Sequence, residues 1–140
     1  MSNNTCNETT YEEEFDALVR FEMAALRGYA YSQENPEETL DILVEYSGED
    51  RGFLEGQIYG NDNYTPEMRL SLDPDSDACV VFYNAMMNLG EIEDTIEVDW
   101  RDYVVTDVYS TALQTLAERE PDNALWTELM EYHTAHNTGA

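Results

Sequence analysis

His133 and His136 stand three residues apart near the C-terminus, so a helix there would put both imidazoles on one face, within reach of one metal ion. A structural zinc usually takes four ligands. Cys6 and Cys79 are not spaced to complete that set, and two ligands close to a chain end read as surface histidines. Asp73, Asp75 and Asp77 repeat the opening triplet of a calcium loop, which then needs Gly at its sixth place and Glu at its twelfth. Those places hold Ala78 and Asn84. The three aspartates read instead as groups that satisfy the unpaired N–H donors and the dipole at a helix start. There is no G-x-S-x-G, phosphate-binding glycine loop, H-E-x-x-H, or clear Cys/His or Ser/His arrangement. No enzymatic activity, cofactor or metal is expected.

What the chain carries in excess is carboxylate. Its 140 residues include 31 Asp plus Glu against six arginines and no lysine, for a formal net charge of −25. Direct binding to DNA, RNA or anionic lipid needs cations and is excluded on that balance. With 42% hydrophobic and 11% aromatic residues, the chain is no acidic disordered tail either. On a helical wheel over residues 34–47, Glu34, Glu37, Glu38, Asp41 and Glu45 fall within about 60° either side of one line, opposite Leu40, Leu43 and Val44. Like charges four apart repel by a few tenths of a kcal/mol, and no lysine relieves them. A second cluster is Glu91, Glu93, Asp94, Glu97, Asp99 and Asp102, with only Arg101 among them; a third is Glu12, Glu13, Glu14 and Asp16.

The elements that position these acids are helices. Thr10 to Glu13 reads as a capping box, followed by Tyr11, Phe15, Leu18, Val19 and Leu26 at helical spacing. Asn35-Pro36-Glu37-Glu38 opens a second helix that Gly48 stops. Residues 49–60 predict a short, poor helix, because Gly52, Gly56 and Gly60 each weaken it by about 1 kcal/mol. Asp73-Pro74 opens a helix to Leu89, and its charge-free stretch from Ala78 to Gly90 predicts a central, buried element. Further helices are expected over Trp100–Arg119, facing inward through Trp100, Val104, Val108, Leu113 and Leu116, and over Asp122–His136, packing through Leu125, Trp126, Leu129 and Tyr132. Polar and apolar residues alternate from Glu91 to Trp100, and Met68, Leu70 and Leu72 alternate similarly, which suits strands. The expected fold is mainly α, a compact bundle of about five to six helices with room for a small two-stranded β element. It forms a single helical domain over 10–136 between flexible tails at 1–9 and 137–140.

The first fifteen residues have no cationic start or apolar stretch, so no signal peptide is expected. No run approaches the ~20 apolar residues of a membrane span. Two cysteines in such different surroundings suit a reducing cytoplasm. The total charge equals that of roughly 42 Å of duplex DNA, about twelve base pairs, and a globule of this length is roughly 37 Å across. In composition, size, helix content and the stripe over 34–45, the chain resembles the small acidic phage proteins that imitate DNA, the anti-restriction and anti-CRISPR inhibitors. The resemblance implies an inhibitor, working in the host-cell cytoplasm, that fills the cationic groove of a nucleic-acid-binding protein such as a restriction enzyme or CRISPR effector. A homodimer would extend the charged surface. Charge would steer the encounter, and Tyr46, Tyr59, Tyr64 or another exposed aromatic would anchor it. The competing readings are a salt-adapted halophilic protein with acids all over its surface, and an interaction protein that blocks its target sterically.

Overall fold

Asn7 begins the first helix. Its side chain accepts from the Thr10 N–H at 2.8 Å and caps α1 (Glu8–Glu13), so Thr10 lies inside the helix rather than at its cap. Glu14 leaves helical geometry (φ −120°, ψ 23°), and its carbonyl accepts from Ala17 and Leu18 to start α2 (Phe15–Glu34). This break divides the single helix expected there. It also puts Asp16 in the first turn of α2, where the helix dipole favours an acid. The computed structural model describes residues 5–65, 71–92, 99 and 103–138. Among them are five further helices: α3 (Pro36–Ser47), α4 (Arg51–Ile58), α5 (Ser76–Asn88), α6 (Asp107–Arg119) and α7 (Ala124–His136). The protein is mainly helical. The seven helices exceed the five to six expected, because of the break at Glu14, and no strand occurs among the described residues. Most of the expected β element (66–70, 93–98 and 100) lies outside them.

By their internal contacts the residues form two compact units, 25–71 and the pairing of 1–24 with 72–140; α2 runs from one into the other. In the first, α3 packs on α4. Pro36 opens α3, and Gly48 closes it at φ 73°, a left-handed conformation that glycine adopts without steric cost. Asp50 caps α4 by accepting from the Phe53 N–H at 3.0 Å. Gly56 is buried, and a Cβ there would lie 3.1 Å from Asn61 Nδ2. The weakest helix former in the segment thus permits the close approach of the 61–64 turn. Leu26, Ala30 and Leu40 are the buried side chains among this unit's described residues.

In the other unit α7 packs against α6 and α5. Val19, Met23, Tyr109, Ala112, Leu113, Leu116, Trp126 and Leu129 make its core. Leu113, Leu116, Trp126 and Leu129 are buried as their spacing predicts; Val104, Val108, Leu125 and Tyr132 are half-buried, and Trp100 is outside the described residues. α6 begins at Asp107, later than expected. The larger correction concerns α5. It is not central: Ser76 is its one buried residue, and Val81, Phe82 and Leu89 are exposed at 70%, 53% and 75%. Its apolar residues surround the axis, but it is covered on one side only, so composition overstated its burial.

Candidate functional site

The expected acidic stripe lies on two elements. Glu34 ends α2, and Asn35 donates its Nδ2–H to the Tyr31 carbonyl there. Glu37, Glu38, Asp41 and Glu45 lie on α3, and all five carboxylates are exposed. Taking buried Leu40 as the inward direction, Glu37 and Asp41 point about 60–100° away, and Glu45 and Glu38 about 140–160°. Ile42 and Tyr46 follow at about 200–240°; both are exposed, Tyr46 at 91%. The outward side of α3 is therefore a row of acids beside a short apolar row.

The stripe is not without a counter-ion. Arg51, in the first turn of α4, donates Nη2–H to Glu37 Oε2 at 2.7 Å and Nη1–H to Asp41. These bonds, that to Glu37 first, raise the guanidinium pKa further. The Tyr31 hydroxyl donates to Glu38, which raises the phenol pKa. Glu45 therefore stands apart from both. A turn at Gly48 that reverses the chain was enough to bring Arg51 back onto the start of α3. That signal was in the sequence, where only the missing lysines were weighed.

Of the second cluster, Glu91 and Asp99 are exposed, whereas Glu93, Asp94, Glu97 and Asp102 lie outside the described residues. The third cluster, Glu12, Glu13, Glu14 and Asp16, is exposed around the α1–α2 break. Among the expected anchors Tyr46 and Tyr64 are exposed. Tyr59 is half-buried and donates its hydroxyl to the Ser32 carbonyl at 2.8 Å, so it is committed to the fold.

The residues first considered for metal chemistry form something else. His133 is buried, not on the surface. Its Nδ1 lies 2.7 Å from Asp73 Oδ2, and its ring sits 5.3 Å from that of Tyr109. Asn137 accepts from the Ser76 N–H through Oδ1 and donates through Nδ2 to Asp73 Oδ1 and the His133 carbonyl. The Asp75 N–H donates to Asp73 Oδ1 as well. With the amide so oriented and the carboxylate an acceptor, the imidazole proton belongs on Nδ1. Burial alone would push the Asp73 carboxyl up; the donors from His133, Asn137 and Asp75 outweigh it and hold it below its ordinary range.

Asp75, at φ 49°, caps α5 by accepting from Ala78 N–H, and takes the Tyr132 hydroxyl on its other oxygen. Asp77 accepts from Thr138. The three aspartates thus tie the end of α7 to the start of α5. His136 stacks on Tyr132, ring centroids 3.8 Å apart. No Ser, Thr or Cys side chain bonds to His133, and no group of three potential metal ligands occurs among the described residues. The cluster clamps the end of α7 to the start of α5.

Glu22 escaped the reading of the sequence. Its carboxyl is buried in α2, Oε1 has no hydrogen-bond partner, and burial pushes its pKa up. Its place among Val19, Met23 and Leu26 was the available signal. Comparison of the chain with protein-family models, curated proteins and solved structures finds no match. No helix among the described residues is long and apolar enough to cross a membrane.

Proposed function

We propose that the protein is an acidic nucleic-acid mimic that occupies the cationic groove of a nucleic-acid-binding protein, of the restriction-enzyme or CRISPR-effector kind, and blocks access of its DNA or RNA. The observation that carries this reading is the outward side of α3. From Glu37 to Glu45 the helix rises about 12 Å and bears four carboxylates; Glu37 and Asp41 share Arg51, which leaves a net charge of about −3 along the row, sparser than the ~3.4 Å per phosphate of one nucleic-acid strand and much sparser than the ~1.7 Å of a duplex. Tyr46 stands beside them as a base stands beside its phosphates. Grooves for single strands combine cations with stacking platforms, so α3 fits that class of groove better than one shaped for a duplex.

Charge reversal tests the reading. Glu38→Lys with Glu45→Lys is expected to weaken inhibition of the target at least ~10-fold at ~100 mM salt, with an unchanged circular dichroism spectrum. Undiminished inhibition would refute the role of this face. Binding should also weaken steeply between ~50 and ~500 mM salt.

The salt-adapted reading has an observation of its own: exposed carboxylates occur on α1, α2, α3, α6 and α7 alike. The two readings separate on stability. A mimic folds at ~50 mM salt and melts somewhat higher as salt screens its self-repulsion, whereas a halophilic protein unfolds when salt falls below about 1 M.

A further inference from the structure

On the reading of α3 as the face that meets a cationic groove, we propose that Arg51 is a built-in competitor for that groove. It occupies the place on Glu37 and Asp41 that a partner's guanidinium would take, and so holds down the affinity of α3 for arginine-bearing surfaces. Arg51 forks across three acceptors: Nη2–H donates to Glu37 Oε2 at 2.7 Å and to the Glu37 carbonyl at 3.2 Å, and Nη1–H donates to Asp41. A planar guanidinium held by carboxylates is the contact that an arginine of a partner would itself make there. Glu38 takes a neutral hydroxyl, that of Tyr31, and the bonds of Arg51 do not extend to Glu45. Half of the row is thus answered from within the chain.

Local structure does not call for an arginine at this position. Gly48 ends α3 with its left-handed φ of 73°, and Asp50 starts α4 by accepting from the Phe53 N–H at 3.0 Å, so the turn between the helices is set without the guanidinium. Arg51 is the first residue of α4, the end at which the helix dipole disfavours a cation. Its side chain is held there by the acids of α3, and both of those stay exposed to an incoming partner. Exposed ion pairs are weak, so a partner's arginine can displace this one. Removing the guanidinium leaves the four carboxylates of the row unopposed and opens Glu37 and Asp41. Because the pairs are weak the gain is modest, ~3-fold in affinity at ~50 mM salt, and at ~500 mM it is screened away.

The probe is tetra-arginine, whose extended length of roughly 13–14 Å matches the row. It is titrated into the isotope-labelled full chain at ~50 and ~500 mM NaCl, and the amide NMR shifts report both the affinity and the place of binding. Wild type, Arg51→Gln, Arg51→Lys and Arg20→Gln are compared, with circular dichroism as the check on the fold. Arg20→Gln removes the same charge from an exposed position on α2, outside the row. Arg51→Gln is expected to bind ~3-fold tighter than wild type in the lower salt, through the amides of α3, with the difference gone in the higher salt. Arg51→Lys keeps the charge but lacks the fork that spans both carboxylates, so it falls between the two. Arg20→Gln stays within ~1.5-fold of wild type. An Arg51→Gln chain that binds no tighter than wild type overturns the proposal. So does equal tightening in Arg20→Gln, which would make net charge the cause. Both results leave α3 as the binding face so long as its amides shift. Amides of α3 that stay still in all four proteins refute that face, and the competitor with it.

Discussion

Replacing Glu22 by Met should stabilise the protein. The residue is 7% exposed, and its Oε1 lies out of contact with water and with any donor. Leaving a buried polar group unsatisfied costs about 1–3 kcal/mol, and methionine has nearly the same length without the charge. The gain at pH 7 is therefore about 1–3 kcal/mol, or about 3–12 °C in melting temperature for a chain of this size. The pH dependence identifies the cause. Burial raises the Glu22 pKa above its ordinary 4.5, so between 4.5 and the raised value the folded chain holds a proton that the unfolded chain has released. Wild-type stability consequently falls as pH climbs through that window and is level above it. The advantage of Glu22→Met should shrink from pH 7.5 toward pH 4.5, by up to ~1.4 kcal/mol per pH unit within the window. Paired thermal melts at both pH values, each at ~50 and ~500 mM salt, measure it. Salt screens surface repulsion in both proteins alike and should leave the difference between them nearly unchanged. A variant no more stable than wild type at pH 7.5, or an advantage that does not change with pH, would refute the argument.

Two further outcomes follow from the other unusual side chains. Asp73→Ala leaves the His133 and Asn137 donors without their acceptor and should cost about 3–5 kcal/mol, seen as a lower urea midpoint; a loss below ~1 kcal/mol would show that the clamp is dispensable. Because its folded pKa lies below 3.8, the contribution of Asp73 is complete above that value and is lost as pH falls through the folded pKa. The variant should therefore lose the corresponding part of the acid transition. Tyr11 donates its hydroxyl to Asp107, which, with some burial, pushes its pKa up to about 12. Stability from this bond declines as pH rises from 10 toward 12. An ultraviolet titration should show one tyrosine ionising near 12 that Tyr11→Phe lacks, and a profile unchanged in that variant would remove the assignment.

Most of the helices were legible from the chain because their limits are local chemistry, though not the break at Glu14 or the start of α6 at Asp107. Asn35-Pro36 at the start of α3 and Gly48 at its end act through their own φ angles and hydrogen bonds, as does the Asn123 side chain, which accepts from the Leu125 N–H at the start of α7. The outward row of acids on α3 was equally plain, since a helix of known phase sorts its residues into sides. Burial was not legible in the same way. α5, the most apolar helix, has one side in solvent, whereas α2 keeps an unpaired carboxylate at Glu22 among its buried residues. Which side of a helix is covered depends on what the rest of the chain lays against it, and no window of sequence contains that information. The same holds for chemistry between distant residues. His133 reads as a surface group until the fold brings Asp73 from sixty residues away to 2.7 Å from its Nδ1, and the acids of α3 appear unopposed until the turn after Gly48 returns Arg51 to them. Local propensity and periodicity act within a few residues and can be read directly. Pairing and burial exist only once the chain has closed on itself, and tertiary structure alone decided them.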